Sequence, residues 1–213
     1  MKKLWTALAL VGACIGAAQA GEVYTGIGTH GVLIGYAHPL SSDFTVRADF
    51  GTLGRHDTSE REEGIDYDVK AGFNRAGLFG DWFPLAGGFR LTGGVTFNHL
   101  KLDMAARGNG GMVNIGGTNY AFTPADRFDV KVEFPRTTPY LGIGWGHRLG
   151  AGFGFSFDVG ASIGKAKLTE THSGPSLSLA SQADIDRELA ELRDGVAKVR
   201  ALPQLSIGVN YQF

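Results

Sequence analysis

The chain of 213 residues is almost without cysteine. Its one cysteine, Cys14, lies within the first twenty residues, so the rest of the chain has neither a disulfide framework nor thiolate chemistry. An excess of charge of one sign is also lacking, since 20 lysines and arginines stand against 21 aspartates and glutamates. A chain balanced in this way offers no basic surface for nucleic acid, which we do not expect as a partner.

Long apolar runs are missing as well. Beyond residue 20 the sequence has no run of 18 apolar residues, whereas a helix needs about 20 to span a bilayer. A helical membrane protein is therefore excluded.

The first twenty residues have the pattern of a secretory signal peptide. Two lysines precede the apolar residues 4–16, and Ala18 and Ala20 form an A-x-A cleavage site. We expect cleavage before Gly21. A second interpretation stays open, in which the residues before Cys14 present its thiol for lipidation.

The chain is rich in glycine, with 33 residues, and apolar and polar residues alternate along most of it. Alternation with a period of two is typical of a strand with two different faces. It occurs in residues 44–50, 65–73, 89–98, 128–134, 139–145, 153–163 and 205–213, and residues 23–37 are a further candidate strand. In every segment we expect the apolar residues to face outward, for example Ile65 and Phe73, or Val130 and Phe134.

Two features favour a membrane barrel over a soluble β-sandwich, which shows the same alternation. Aromatic residues flank the short turns at 38–43, 84–88 and 148–152, as in the aromatic girdle of an outer-membrane barrel. The chain also ends on Tyr211 and Phe213, similar to the signal read by the outer-membrane insertion machinery, an expected partner. We therefore predict an all-β fold for residues 21–213: an up-and-down antiparallel transmembrane β-barrel of the bacterial outer membrane, with about eight strands.

The strand count leaves one alternative open. Bacterial single-chain barrels have even numbers of strands, and the alternating segments leave one strand to be placed. The eighth lies either in 21–30, if 23–37 is a tight hairpin, or in 168–181.

The longer connections, 55–64, 105–127 and 168–203, are expected on the extracellular rim, and 105–127 is long enough for a small hairpin of its own. The last connection is expected to contain one amphipathic helix, about 182–200, with Ser181 as its cap.

The polar face of the strands is expected to line the lumen. Its charged members are the candidate selectivity residues: Arg47, Asp49, Asp66, Asp68, Lys70, Arg90, Asp129, Lys131, Glu133 and Asp158. An eight-stranded barrel has room only for side chains or one small ligand. These charges therefore either pair as a plug, or line a narrow wet groove for cations beside the small residues of 140–146 and 154–164.

Several segments resemble the small outer-membrane porins associated with carbapenem susceptibility, the CarO-like family, which belongs with the eight-stranded barrels of the OmpW and OmpA type. The matching segments are 26–31 (GIGTHG), 138–146 (TPYLGIGWG), 157–161 (FDVGA) and the tail 202–213 after an acidic helix. The resemblance implies passage of small solutes, such as the basic amino acid ornithine and carbapenems. It gives no set of transport residues that can be placed in this sequence.

We therefore expect a narrow porin for small hydrophilic solutes, with a closed structural or surface-interaction barrel as the alternative. Outer-membrane lipid and lipopolysaccharide are the other expected partners. The six histidines are scattered without a catalytic motif, so we expect no enzyme activity, no cofactor and no metal site.

Replacing the terminal aromatic tests the insertion signal. In a Phe213→Ala variant we expect less folded protein in the outer membrane, because the insertion machinery loses the residue it reads. The measurement is the heat-modifiable fraction on a gel, with the internal aromatic variant Phe155→Ala as a control. A normal folded yield of Phe213→Ala would contradict the prediction.

Overall fold

The computed structural model describes residues 21–62, 65–85, 87–147, 151–197 and 199–213, so the predicted signal peptide lies outside the described residues. The strands are β1 (Glu22–Gly28), β2 (Gly31–Pro39), β3 (Phe44–Glu62), β4 (Ile65–Trp82), β5 (Phe89–Gly108), β6 (Gly111–Ile115), β7 (Thr118–Phe122), β8 (Arg127–Glu133), β9 (Thr137–Trp145), β10 (Gly152–Ile163), β11 (Lys167–Ser173) and β12 (Ala201–Gln212). A 3₁₀ turn (Leu177–Leu179) and one helix, α1 (Gln182–Ala197), separate β11 from β12. Within these ranges no helix is long and apolar enough to cross a membrane.

Eight of these strands close into an antiparallel ring. The hydrogen-bonded order is β1-β2-β3-β4-β5-β9-β10-β12, and β12 returns to β1. The first and last described residues meet at one rim, where the Phe213 amide donates to the Gly21 carbonyl at 3.1 Å. Of the two alternatives for the additional strand, the one in 21–30 is correct, because residues 23–37 form a tight hairpin that turns at Thr29 and His30. The strand predicted at 128–134 is wrong as a member of the ring, since among the described strands β8 pairs only with β5 and β11.

The outer surface of the ring is an apolar belt. The side chains that alternate outward remain exposed in the isolated chain, with Phe153 86% and Phe155 77% exposed, and Leu141 62%. A continuous surface of this kind is stable only against lipid, and a closed ring leaves no unpaired strand edge in the hydrocarbon. Trp82, Trp145 and other aromatics lie at the rim of the short turns, as predicted for the girdle.

Above the belt five strands continue as an open sheet, which we call the extension. Its order is β11-β8-β5-β4-β3, since β2 pairs with β3 only as far as Thr52. The bulge between Thr52 and Gly54, where Gly54 has a φ of +74°, marks the point at which β3 leaves the ring. The predicted connection 55–64 is therefore wrong as a loop, because residues 55–62 are strand.

In the extension the apolar residues of the alternating pattern face the inside of the sheet, whereas in the ring they face outward. Ile65 and Phe73, predicted to face outward, are buried, and so are Val130 and Phe134. The physical reason is the solvent: above the membrane the outer face of the sheet meets water, so the apolar residues turn to the inner face.

A small cap covers that inner face. It consists of the β6–β7 hairpin, the 3₁₀ turn and α1, and it confirms the predicted hairpin within 105–127 and the helix before the last strand. Its core is Ile65, Ile115, Phe122, Leu177, Ile185 and Leu189. The cap lies on the side of the long connections, opposite the rim that carries Gly21 and Phe213.

Local hydrogen bonds fix the start of α1 and its contact with the hairpin. The Ser181 hydroxyl accepts the Asp184 amide at 3.1 Å, which confirms Ser181 as the cap. The Tyr120 hydroxyl donates to Asp184 at 2.7 Å, and Glu188 accepts the amide of Gly116 at 3.1 Å. The helix is thereby bound to β7 and to the turn of the hairpin.

Asp126 connects the hairpin to the 3₁₀ turn. Its fully buried carboxylate accepts the Thr123 amide and hydroxyl at 2.8 and 2.6 Å, and the Ser176 amide at 2.9 Å. Burial alone would raise the pKa of this carboxyl, but the hydrogen bonds from Thr123 and Ser176 outweigh burial and lower the pKa to about 2.

We expect the cap to loosen in acid because of Asp126. Its pKa is depressed below the ordinary value of 3.8, so the stabilisation is complete above about pH 4 and is lost as the pH falls toward 2. Hydrogen exchange of residues 174–190 should show the loss over this range, and Asp126→Asn should show low protection already at pH 6. The control is Asp129→Asn, an exposed position on β8. Native protection of Asp126→Asn at pH 6 would contradict the prediction.

Candidate functional site: the barrel interior

Two arginines and two aspartates fill the ring near the rim of the short turns. Arg47 of β3 and Arg90 of β5 both bind Asp81 of β4, Arg90 at 3.1 Å. Both also bind Asp158 of β10, at 3.3 and 2.7 Å. The side chains of Arg90 and Asp81 are 0% exposed. We call these residues the quartet; its charges cancel, as buried ions require.

Hydroxyl and aromatic groups complete the surroundings of the quartet. The Thr92 hydroxyl donates to Asp81 at 2.6 Å and accepts from Arg90 at 2.9 Å. The guanidinium of Arg47 lies 5.2 Å from the centre of the Phe79 ring and 5.7 Å from that of Tyr24, within the range of a cation–π contact. Arg47 is thus held by ions on one side and by aromatic faces on the other.

A second network lies on the cap side of the quartet. Arg75 binds Asp49 at 2.5 Å and also donates to Gln204. Gln204 donates to the Ser162 hydroxyl at 2.7 Å, and Ser162 lies 2.7 Å from the Thr96 hydroxyl. The chain of contacts runs on through two further side chains, Thr138 and Asn98. Polar groups from β3, β4, β5, β9, β10 and β12 are therefore joined across the lumen.

The small residues predicted to line a groove instead accommodate these large side chains. A Cβ at Gly144 would lie 2.7 Å from the guanidinium carbon of Arg90, and one at Gly160 would lie 2.2 Å from the Tyr140 hydroxyl. Between the two networks there remains a small cavity of about 20 Å³, enough for about one water molecule. The glycines therefore make room for the plug.

The rim of the short turns has a separate polar pocket. Glu22 and His147 are hydrogen-bonded to each other and buried, beside Asn210 and Gln212. The pocket around them has a volume of about 320 Å³ and is also lined by Ser41, Ser42 and Thr45. The Nε2 atom of His147 has no hydrogen-bond partner among the described residues, as expected of a group that binds water.

The ten predicted lumen residues divide into two groups. Arg47, Asp49, Arg90 and Asp158 lie inside the ring and take part in the networks. The structure places the other six on the extension, outside the ring: Asp66, Asp68, Lys70, Asp129, Lys131 and Glu133. The reason is the reversed alternation, because polar residues of β4 and β8 face water on the outer side of the open sheet.

Arg75 and Asp81 are the charged residues of the two networks that the sequence patterns missed. The strand predicted at 65–73 continues to Trp82, and the two residues share its face with Phe73. A signal was available, since a charge facing the middle of the lipid is costly. Two charges on one face, with Leu78 and Trp82 on the other, assign that face to the interior.

No protein-family model matches the chain, and no curated protein does. Among solved structures, CarO of Acinetobacter baumannii aligns with a TM-score of 0.57 at 17% identity, over 91% of this chain and 97% of that chain. CarO2 of the same species aligns with a TM-score of 0.59 at 18% identity, over 92% of this chain and 100% of that chain. The fold is that of the CarO barrels. The predicted resemblance and the predicted barrel fold are both confirmed.

A third solved structure, a major outer membrane protein from Thermus thermophilus, aligns with a TM-score of 0.46 at 12% identity over 92% of this chain and 100% of that chain.

Within the described ranges, three or more histidine, cysteine, aspartate or glutamate side chains do not come together in a way that would hold a metal ion.

Removing the shared acid tests the importance of the quartet. In Asp81→Asn two buried guanidinium groups lose a charged partner, and we expect unfolding in detergent micelles to become easier by about 3–5 kcal/mol. Equilibrium denaturation by guanidinium chloride measures the change. The control is Asp66→Asn, which removes an exposed carboxylate paired with Arg61 and should change stability little. Equal effects of the two substitutions would show that the buried quartet contributes no more to the free energy of unfolding than an exposed ion pair does.

Proposed function

We propose that this protein is an outer-membrane barrel that is closed at rest and that displays an extracellular cap, so that it acts as a structural or surface-interaction barrel. The observation that carries the proposal is the quartet. Its arginines and aspartates come from four different strands and are nearly all inaccessible to solvent. A solute would have to break these ion pairs inside the membrane in order to pass.

The cap supports the surface role. Its core includes Ile65 of the extension, and partly buried hydrogen bonds of Tyr120 with Asp184 and of Ser176 with Asp126 hold its parts together. Folding such a unit on long strands costs backbone entropy, and a barrel that only closed a membrane would not need it. The cap places Met112 and Leu179 in solvent, 60% and 83% exposed, as contact residues for a partner.

A narrow porin for small hydrophilic solutes, such as ornithine, is the second candidate. It is favoured by the polar networks of the interior and by the similarity in fold to the CarO barrels. In that case the quartet is a gate, and Arg47 and Arg90 exchange partners when the gate opens. The predicted absence of enzyme activity and the predicted signal peptide stay predictions.

Conductance in planar bilayers separates the two candidates. We expect the native barrel to remain at the background level, because the quartet leaves no continuous wet path. The variant Arg90→Ala/Asp158→Ala removes one cation and one anion and should conduct, since it opens the lumen without leaving net charge. The matched control is Arg55→Ala/Asp57→Ala, an exposed pair on the extension, which should stay silent.

Ornithine uptake into proteoliposomes is the second readout. Native conductance or uptake equal to that of the double variant would contradict the closed barrel and favour the porin.

A further inference from the structure

The outer face of the barrel carries a basic groove at the upper edge of the apolar belt, where β8 meets β9 and β10 meets β11. Lys101, Arg136, Lys165 and Lys167 line it, together with one carboxylate, Glu133. The groove has a volume of about 380 Å³. Four cations against one anion give it a net charge of +3, although the chain as a whole is nearly neutral.

Strand register explains how these residues come together. Glu133 of β8 is paired with Lys101 of β5 on one side and with Lys167 of β11 on the other. Adjacent strands are about 4.8 Å apart. The backbones of the two lysines are therefore roughly 10 Å from each other, with the glutamate between them. Lys165 and Arg136 lie in the breaks just below this row, where the chain passes between the extension and the ring.

The cations of the groove are free to bind a ligand. None of the four forms an ion pair with a protein carboxylate in the described part of the chain. The next row toward the cap is balanced in charge, because Lys70 and Lys131 face two carboxylates in register, Asp57 and Asp103, and Lys131 lies 3.9 Å from Asp103. Positive charge is therefore concentrated in the row next to the lipid.

The height of the groove identifies the layer that it meets. On β10 the lipid-facing residues run from Phe153 to Ile163, which corresponds to about 25 Å along the barrel axis for a strand tilted by roughly 40°. This distance equals the usual height of the apolar band of such barrels, about 25 Å. Lys165 follows directly, so the groove lies at the level of the lipid headgroups on the cap side.

We propose that this groove binds the phosphate groups of lipopolysaccharide in the outer leaflet. Lysine and arginine are the residues that bind phosphate through charge-assisted hydrogen bonds. The apolar belt below the groove, with Phe97 and Ile163 exposed, contacts acyl chains, so one ligand satisfies both surfaces. The proposal requires that the cap side of the barrel faces the cell exterior, as in the proposed function. It does not require that the lumen is closed.

Two matched double variants test the site. Lys101→Gln/Lys167→Gln removes two charges from the groove, whereas Lys70→Gln/Lys131→Gln removes two charges from the same outer face one row higher. All four positions are on the polar outer face, and heat modifiability checks that both variants fold. Lipopolysaccharide binding to the full barrel in detergent is measured by native mass spectrometry and by the shift in thermal unfolding.

We expect the groove variant to bind lipopolysaccharide about tenfold more weakly than the native barrel, and the control variant to bind as the native barrel does. Lipid A stripped of its phosphates should bind the native barrel as weakly as intact lipopolysaccharide binds the groove variant. Equal losses in the two variants, or undiminished binding of the stripped lipid, would overturn the site.

Two further probes identify the source of the phosphate. Inorganic phosphate alone should not shift the unfolding of the native barrel, and phosphatidylglycerol should bind both variants alike. A shift with inorganic phosphate that the groove variant loses would overturn the assignment to a lipid. Phosphatidylglycerol binding that only the groove variant loses would overturn the assignment to lipopolysaccharide.

Discussion

Closure of the strand ring is the constraint on which the rest of the structure depends. Inside a membrane no water satisfies a backbone amide or carbonyl, so every strand edge has to be paired. The hairpin of β1 and β2 supplies the strand that makes the ring even, and β12 joins it to β10. Where the belt ends this requirement ends too, and β3 and β11 become the free edges of an open sheet that water can solvate.

The same closure determines the chemistry of the interior. A ring of eight strands is too narrow for bulk water, so charged side chains that face inward have to neutralise each other. The quartet does so with two cations and two anions, and Arg75 with Asp49 repeats the arrangement toward the cap. Glycines on neighbouring positions provide the space that these long side chains occupy. Interior polarity, which suggests a channel in the sequence, is here the means of filling the barrel.

The alternating pattern predicted the correct faces in the segments whose outer side meets lipid along their whole length. In 89–98, 139–145 and 153–163 the apolar set faces lipid along the whole segment, so alternation alone gave the correct faces. It failed in 65–73 and 128–134, where water replaces lipid outside and the faces exchange. Ile65 and Phe73 look like lipid-facing residues until the cap that covers Ile65 is known, and that contact joins residues far apart in the chain.

The sequence likewise predicted the interior site in part. Arg47, Asp49, Arg90 and Asp158 were found because they lie in segments with the membrane sense of alternation. Asp81 was missed because the predicted strand ended too early, and pairing partners such as Arg47 with Asp81 are set by ring geometry that no local pattern contains. The basic groove depends likewise on the register of β5, β8 and β11.

The exchange of faces can be measured along a single strand. β4 runs from the extension into the belt, and the one cysteine of the chain, Cys14, lies outside residues 21–213, so single spin labels can be introduced cleanly. At positions 78 and 82 a label should be accessible to oxygen and not to a water-soluble nickel complex. At 66, 68 and 70 it should be accessible to the nickel complex, and at 73, 75 and 79 to neither. Nickel accessibility of the labels at 75 and 79 in the lipid-embedded barrel would show a wet lumen and contradict the closed interior.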